Sequence, residues 1–349
     1  MSIHTPPSQT VLEKLDLTRA KLTRFESGII NDSWRVEKSN QEIFVLQRVN
    51  PIFPATINND IDAVTQHLQK KGILTPHLVR TPEGKLWLEE NNHIWRILTY
   101  MPGITRDVLE KPYQAEEASA LLARFHLALS DLKLKFSSPR IGIHDTQKHL
   151  NALNQALEQH KTHPHYSDVE PLGKKILEIA SDLPKLPLCA NRLVHGDPKI
   201  SNFIFDEITN KAICLIDLDT VSTMPIILEL GDAIRSWCNT KGEESSDAFL
   251  SIPFLKSSMI GYSREAKGLL EEQEWRALPA AILTITIELA ARFAADALTE
   301  SYFSWDPNRY ASASEHNQVR AQSQVRLAES IQTQWHSIQN VVLSNVNLV

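Results

Sequence analysis

The sequence contains little cysteine and little glycine, and each shortage argues against a class of protein. The three cysteines, Cys189, Cys214 and Cys238, are widely spaced and form no Cys-x-x-Cys pair. They therefore indicate neither a disulfide framework nor a zinc knuckle, and they favour a reducing, cytoplasmic location. Glycine accounts for 11 of 349 residues, which is about half of its usual share. Because few glycines allow few tight turns, we expect more helix than strand.

A surplus of basic residues and an uninterrupted apolar run are also missing. Lys and Arg number 36 against 42 Asp and Glu, a net charge of −6, which argues against nucleic acid as a partner. Hydrophobic residues make up 42% of the chain and charged residues 22%, as in globular proteins. The most apolar stretch, 278–298, contains Glu288, Arg292 and Asp296, so it predicts a buried helix and no membrane partner. The first residues lack the pattern of a signal peptide.

The pattern along the chain predicts two lobes of different composition. Alternating apolar residues and turn residues predict a small antiparallel sheet in the first part of the chain, with one helix over 58–71. Pro102-Gly103 interrupts this pattern, and helical periodicity prevails after it. We therefore expect an α+β fold with an N-terminal lobe over 1–101, which ends in a hinge over 99–103, and a mainly helical C-terminal lobe over 104–349.

One segment has the residue spacing of a kinase catalytic loop. His195 precedes Asp197 by two residues, and Asn202 follows it after four others. A predicted hairpin over 202–218 begins at Asn202 and ends at Asp217, so both side chains are expected at its open end. Such oxygen ligands suit Mg²⁺ with ATP, and Asp197 can accept the proton of an attacking hydroxyl. The alternative is that Asp197 and Asn202 are turn residues and Asp217 caps a helix.

The sequence specifies the roles of four residues in or near this motif less clearly. Lys199 is expected to neutralise charge on the transferred phosphoryl group, although a surface lysine has the same pattern. Asp219 fits either a further metal ligand or a cap at the hairpin end. His195 and Asp232 fit structural roles, and we expect Asp232 to hold the backbone of the catalytic loop.

These motifs resemble those of the aminoglycoside phosphotransferase and choline kinase superfamily over nearly the whole chain. The resemblance implies a protein-kinase-like fold of two lobes and a small-molecule kinase. Several segments are most similar to the N-acetylhexosamine 1-kinase branch, namely 28–33, 44–50, 216–220, 231–235 and 291–296. That branch implies the anomeric hydroxyl of N-acetylglucosamine or N-acetylgalactosamine as the acceptor. The alternatives are another hydroxyl substrate (an aminoglycoside, a choline-like alcohol or an amino acid alcohol) and a nucleotide-binding pseudokinase.

The expected nucleotide site departs from the kinase pattern. Kinases place a lysine on the third strand, whereas this strand contains Gln47 and Arg48. Arg48 can supply the charge, but strand alternation does not decide which of the two points inward. Its acidic partner on the following helix would be Asp60 or Asp62, with Asp62 preferred, although a solvated helix face fits both residues as well. The other expected nucleotide-binding residues lie in the glycine turn and the hinge: Gly28, Asn31, Thr99, Tyr100 and Met101.

The acceptor site is expected on the apolar helix near the C-terminus. Glu288, Arg292 and Asp296 are spaced four residues apart, so they share one helix face. One interpretation is a set of structural salt bridges. The other, which the resemblance implies, is that these residues line the acceptor pocket. Less specific candidates, each of which fits packing or capping as well, are Trp34, His144 and Asp145.

Overall fold

The computed structural model describes residues 6–25, 31–139, 143–266 and 268–346. The chain divides into two compact units. The N-terminal unit comprises Met1–Gly103 and Asp131–Pro139, and the C-terminal unit comprises Ile104–Ser130 and Arg140–Val349. The hinge over 99–103 stays a prediction.

The N-terminal unit is built around an antiparallel sheet. Its strands are β1 (Lys21–Arg24), β2 (Asp32–Glu37), β3 (Ile43–Val49), β4 (Leu78–Val79), β5 (Leu88–Glu90) and β6 (His93–Thr99). Their order is β1-β2-β3-β6-β4, and β5 also pairs with β6. Because side chains alternate along a strand, one face collects apolar residues and buries them against α1 (Gln9–Lys14). The sheet residues of this face are Trp34, Val36, Leu46, Trp95 and Ile97.

Helix α2 (Ile57–Lys70) follows β3 and is amphipathic. Its buried residues include Ile57, Ile61, Val64 and Leu68, which repeat at the spacing of one helix face. Gly72 follows with a φ of 75°, a conformation that glycine adopts without strain. The helix predicted over 58–71 is therefore confirmed to within one residue at each end.

The C-terminal unit is mainly helical. Its helices are α3 (Pro112–Leu129), α4 (Thr146–Gln159), α5 (Tyr166–Ser181), α6 (Ile226–Trp237), α7 (Ile252–Glu265), α8 (Glu272–Thr299), α9 (Ala313–Thr333) and α10 (Trp335–Val346). Helix α8 packs against α4, α5, α6, α9 and α10. Within the described ranges it is the one helix long and apolar enough to cross a membrane, but 83% of its apolar window is buried in the protein. It is therefore the expected core helix.

Two short antiparallel strand pairs interrupt the helices. β7 (Asn191–Val194) pairs with β10 (Ser222–Pro225), and β8 (Phe203–Phe205) pairs with β9 (Ala212–Leu215). The second pair confirms the predicted hairpin. A small antiparallel sheet followed by a mainly helical remainder confirms the α+β fold class.

Candidate active site

The loop after β7 carries the predicted catalytic motif, and a buried glutamate holds its backbone. Glu229 lies on α6, and its carboxylate accepts the backbone N–H groups of His195 at 3.0 Å and Gly196 at 2.6 Å. We expected Asp232 to hold this backbone, and that prediction is wrong. Asp232 instead accepts a hydrogen bond from Nε of Arg235 at 2.9 Å. The two acids lie on one helix, so only the directions of their side chains separate their roles.

Glu229 belongs to a buried polar chain. Nε2 of His126 lies 2.6 Å from Oε1 of Glu229, and Nδ1 of His126 lies 2.8 Å from the hydroxyl of Tyr262. Burial raises the pKa of Glu229, but its interaction with His126 outweighs burial and leaves that pKa below the usual range. Glu229 is therefore ionised at neutral pH. Sequence reasoning missed this residue, although an acid inside the apolar run 226–230 is a signal for a buried partner.

The catalytic loop also contacts the segment after β9. Gly196 has a φ of 85°, and a Cβ there would lie 2.1 Å from the carbonyl oxygen of Thr220. The hydroxyl of Thr220 donates to the carbonyl of His195 at 2.9 Å, and Nε2 of His195 lies 2.8 Å from the carbonyl oxygen of Ile216. A larger residue than glycine would push these two segments apart. His195 thus has the structural role that we expected.

Asp197, Lys199 and Asn202 lie together in the loop. Nζ of Lys199 lies 2.8 Å from Oδ2 of Asp197, and Nδ2 of Asn202 donates to the same oxygen at 3.2 Å and to the Asp197 carbonyl at 2.8 Å. Burial raises the pKa of Asp197, but the attraction of Lys199 outweighs it and holds the pKa below its usual range. Burial lowers the pKa of Lys199, but the attraction of Asp197 and Asp217 outweighs burial and leaves that pKa above its usual value. Both groups are therefore charged at neutral pH.

Asn202 and Asp217 occupy the same end of the hairpin, as the strand pairing requires. The backbone N–H of Ile216 donates to the carbonyl of Asn202 at 2.9 Å. Burial and the nearby Asp219 raise the pKa of Asp217 to about 6, because two carboxylates disfavour each other's charge. No described hydrogen bond uses Oδ1 of Asn202, so an amide oxygen remains for a ligand.

This donor set fits a hard divalent cation, which prefers carboxylate and amide oxygens and would relieve the repulsion between the acids. Asp219 is buried, with 1% of its surface exposed. Within the described residues, no three His, Cys, Asp or Glu side chains form a cluster able to hold a metal by themselves. The metal-binding roles of Asn202, Asp217 and Asp219 therefore stay predictions.

Strand β3 in the N-terminal unit presents Gln47 and Arg48 on opposite faces. Arg48 lies on the apolar face, where its Nε donates to Oδ2 of Asp32 on β2 at 3.1 Å and its guanidinium lies 5.9 Å from the ring centroid of Trp95. Asp32 and Arg48 are direct cross-strand partners. Gln47 points away from this face and donates to the hydroxyl of Ser33 at 3.0 Å.

A second arginine lies on the same face as Gln47. Nε of Arg96 on β6 donates to Oε1 of Gln47 at 2.8 Å, and its Nη1 donates to Oδ1 of Asn58 on α2 at 3.3 Å. The β3 residue that points towards α2 is therefore Gln47, and the charge beside it comes from β6. Sequence reasoning missed Arg96, although a single charge in the apolar strand His93–Thr99 indicates a specific partner.

Neither acid considered on α2 contacts Arg48 among the described residues. The carboxylate of Asp60 accepts the backbone N–H groups of Ser137 and Ser138 at 2.7 and 2.9 Å. The carboxylate of Asp62 lies 3.5 Å from Nη2 of Arg80. The preference for Asp62 as the partner of Arg48 is therefore wrong, because Arg48 lies on the other face of the sheet and pairs with Asp32.

The remaining predicted nucleotide-binding residues follow the sheet. Gly28 lies outside the described residues. Oδ1 of Asn31 accepts the backbone N–H of Asn50 at 2.9 Å. Thr99 ends β6, where its backbone N–H donates to the carbonyl of His77 at 2.9 Å. Tyr100 and Met101 directly follow the end of β6 and belong to no strand. Their nucleotide-binding roles stay predictions.

Glu288 on α8 binds neighbouring side chains from the start of α4. Its Oε1 lies 2.9 Å from Nδ1 of His144, and its Oε2 accepts the hydroxyl of Thr146 at 2.7 Å. Only 1% of the Glu288 side chain is exposed. Among the described residues, Glu288 and Arg292 form no ion pair, although both belong to the predicted stripe on one helix face. Asp145 caps α4 by accepting the backbone N–H of Lys148 at 3.0 Å.

Arg292 and Asp296 are connected through the loop that follows α8. The guanidinium of Arg292 lies over the rings of Tyr302 and Phe303, at 5.6 and 5.5 Å from their centroids. Asp296 accepts the backbone N–H groups of Ser301, Tyr302 and Phe303 at 2.8 to 2.9 Å. Asp296 thus orders the segment against which Arg292 packs. The substrate-binding roles of Glu288, Arg292 and Asp296 stay predictions.

Comparison with known proteins identifies the family. Residues 21–266 match the model of the APH family, the phosphotransferase enzyme family. An amicoumacin kinase in complex with AMP-PNP and Ca²⁺ has a TM-score of 0.64 at 15% identity, covering 93% of this chain and 94% of that one. A microcompartment-associated aminopropanol kinase has a TM-score of 0.61 at 15% identity, covering 93% and 96%. An aminoglycoside phosphotransferase from Alicyclobacillus acidocaldarius has a TM-score of 0.58 at 16% identity, covering 95% and 97%.

These structural likenesses confirm the protein-kinase-like fold that the sequence predicts. The family match spans both the sheet of the N-terminal unit and the catalytic motif. The chain therefore belongs to the phosphotransferase enzyme family, and it is a phosphotransferase that acts on a hydroxyl acceptor.

Proposed function

We propose that this protein is an ATP- and Mg²⁺-dependent kinase that transfers the γ-phosphate to the anomeric hydroxyl of an N-acetylhexosamine. The observation that best supports the kinase chemistry is the group of Asp197, Lys199 and Asn202, in which Lys199 lies 2.8 Å from Asp197. Glu229 holds the backbone of this loop through two hydrogen bonds. This combination gives a carboxylate a defined position and a compensating positive charge.

Asp197 has the role of orienting the acceptor hydroxyl and receiving its proton. Lys199 keeps the pKa of Asp197 below its usual range, so Asp197 is a weak base. A weak base is sufficient, because phosphoryl transfer passes through a loose transition state in which the hydroxyl loses its proton late. Lys199 would neutralise negative charge on the transferred group.

Asn202 and Asp217 would hold the Mg²⁺, with Asp219 beside them. The metal would neutralise charge on the phosphates of ATP. The free Oδ1 of Asn202 and the raised pKa of Asp217 support this assignment. The AMP-PNP and Ca²⁺ complex of the amicoumacin kinase supports the use of a nucleotide and a divalent metal in this fold.

The proposed nucleotide-binding residues lie in the N-terminal unit, and they are Gly28, Asn31, Gln47, Arg48, Thr99, Tyr100 and Met101. We add Arg96 to this group. Kinases place the phosphate-binding lysine on the strand face that is turned towards the following helix, and Gln47 and Arg96 share that face here. Arg96 is therefore the better candidate for the cation that contacts phosphate, whereas Arg48 is held by Asp32 on the other face.

The N-acetylhexosamine acceptor is supported by the sequence resemblance of segments such as 216–220 and 291–296. Arg292 would bind this acceptor, and Asp296 would position the loop against which Arg292 packs. The solved structures named above act, by their names, on amicoumacin, aminopropanol and aminoglycosides. Another alcohol is therefore the competing acceptor class.

An acceptor screen tests this proposal. The wild type and the Asp197→Asn variant are incubated with ATP, Mg²⁺ and single acceptors: N-acetylglucosamine, N-acetylgalactosamine, glucose, choline, ethanolamine, homoserine and kanamycin. We expect ATP consumption and a sugar 1-phosphate by mass spectrometry with the N-acetylhexosamines alone. Loss of a catalytic base should lower kcat about 10²–10⁴-fold in the variant. Turnover of only choline or kanamycin would refute the acceptor, and equal rates in both proteins would refute the role of Asp197.

A further inference from the structure

Nε2 of His144 is one of the buried side-chain nitrogen atoms that have no hydrogen-bond partner in the described part of the C-terminal unit. The side chain of His144 is only 6% exposed, and its Nδ1 lies 2.9 Å from Oε1 of Glu288. Its Nε2 is shielded from solvent and forms no hydrogen bond in the part of the chain that the structure describes. An unsatisfied buried polar atom costs about 1–3 kcal/mol. Such an atom is therefore a candidate for contact with a ligand.

The orientation of this imidazole is determined by its neighbours. Glu288 accepts a hydrogen bond from Thr146 at 2.7 Å as well as the contact from His144. His149, the other imidazole near this carboxylate, lies 3.9 Å from it, and its Nε2 is 3.1 Å from the carbonyl oxygen of Ile143. His149 is therefore satisfied by the protein. Of these two imidazoles, His144 has one nitrogen bound to Glu288 and the other without a partner among the described residues.

Burial and nearby charged groups shift the pKa of His144. Burial lowers the pKa of His144, but Glu288 and then Asp232 raise it, and the net pKa lies above the usual value. Asp232 bonds Arg235 at 2.9 Å, and Arg235 in turn lowers the pKa of Asp197.

Helices α6 and α8 pack directly against each other. Helices α6 and α8 approach so closely that a Cβ at Gly231 would lie 2.9 Å from the carbonyl oxygen of Ala281. Asp232 follows this contact on α6, while Glu288 and Arg292 lie one turn apart on α8. His144 contacts Glu288, which therefore places it one turn of α8 from Arg292, the residue proposed to bind the acceptor.

We propose that Nε2 of His144 binds a second hydroxyl of the acceptor, one that does not receive the phosphate. The pair of His144 and Glu288 would thus select polyhydroxylated acceptors such as hexoses over simple alcohols. A hydroxyl suits this nitrogen in either protonation state, because it donates to the neutral ring and accepts from the charged ring. Since Nε2 is shielded, binding requires a small shift of the turn over 143–144, which belongs to no helix or strand.

This inference rests on the proposed kinase function, and the test separates the two. His144→Asn keeps an amide near Nδ1 that can donate to Glu288 but removes Nε2. His144→Gln places an amide near Nε2 instead. Both variants are assayed against N-acetylglucosamine and its derivatives that each lack one hydroxyl, with kcat/KM measured for the acceptor and KM for ATP. His149→Gln is the matched control, because it changes a histidine beside the same carboxylate.

We expect His144→Asn to lower kcat/KM for N-acetylglucosamine about 10-fold, the value of one hydrogen bond, with KM for ATP unchanged. The loss should vanish for the one derivative that lacks the bonded hydroxyl, while His144→Gln should recover part of the activity. His149→Gln should behave like the wild type. A loss of equal size for every derivative, or no loss, would overturn the inference.

Two outcomes in the wild type distinguish the failure of each claim. If the wild type phosphorylates only acceptors with a single hydroxyl, such as choline, the kinase function stands and the role of His144 is wrong. If it phosphorylates no acceptor at all, both are wrong. Melting temperatures of the variants show whether a loss reflects unfolding, and a fall shared by His144→Asn and His144→Gln with unchanged kcat/KM would assign His144 to packing alone.

Discussion

The buried carboxylate of Glu229 provides the sharpest test of how the catalytic loop is held. Its two oxygens accept the backbone N–H groups of His195 and Gly196, and Oε1 also contacts His126. Glu229→Gln keeps the size of the side chain but replaces one oxygen with an amino group. One of the donors that surround it then faces a second donor, and the negative charge is lost.

The cost of this change follows from the burial of the site. Glu229 has no exposed surface, so water cannot replace the missing acceptor. A buried donor without an acceptor costs about 1–3 kcal/mol, and more when the lost partner was charged. The loop can reduce this cost only by moving away, and a displacement of about 1 Å at a catalytic group lowers the rate about 100-fold. We therefore expect a clear loss of kcat together with a lower stability.

Steady-state kinetics and thermal unfolding measure these two effects in one preparation. We expect kcat to fall about 100-fold while KM for ATP stays near the wild-type value, because within the described residues the hydrogen bonds of Glu229 go only to His195 and Gly196 of the catalytic loop and to His126. Glu178→Gln, a substitution on the exposed face of α5, is the matched control and should leave both quantities unchanged. A Glu229→Gln variant with wild-type kcat and melting temperature would refute the reasoning.

Three further predictions concern the metal, the nucleotide and the acceptor. Asn202→Ala and Asp217→Ala should raise the Mg²⁺ concentration for half-maximal activity, the latter more because it removes a charge; unchanged midpoints would place the metal elsewhere. Arg96→Leu should weaken Mg²⁺–ATP binding in calorimetry by about 1–3 kcal/mol, with Arg48→Leu as the comparison, and the reverse order would reassign the phosphate contact to Arg48. Arg292→Ala should raise KM for the acceptor about 10-fold at a preserved melting temperature, and a large fall in melting temperature would instead indicate a packing role.

Local motifs were readable from the sequence because their geometry is local. His195, Asp197 and Asn202 belong to one short loop, and the pairing of β8 with β9 requires Asn202 and Asp217 to share one end of a hairpin. Helix α2 followed from periodicity, since a helix repeats its faces at a constant spacing. The buried α8 followed from an apolar stretch that contains charged residues. The fold class followed from the order of these elements.

Partners from distant parts of the chain could not be read in this way. Asp232 and Glu229 differ by less than one helical turn, and only the packing of α6 decides which of them reaches the catalytic loop. Glu288 has charged neighbours along its own helix, yet its hydrogen bonds come from His144 and Thr146, more than a hundred residues earlier. Helical spacing places a residue on a face but does not say what packs against it.

The α+β architecture, the catalytic motif and the family could be predicted from the sequence, because each depends on short-range spacing and pattern. Only the packing of the folded chain shows that Gln47 and not Arg48 points towards α2, and that packing brings Arg96 to Gln47 and His144 to Glu288. These pairs form because a buried polar group must find a partner wherever the fold supplies one. That partner is selected by distance in space, which the order of residues along the chain does not encode.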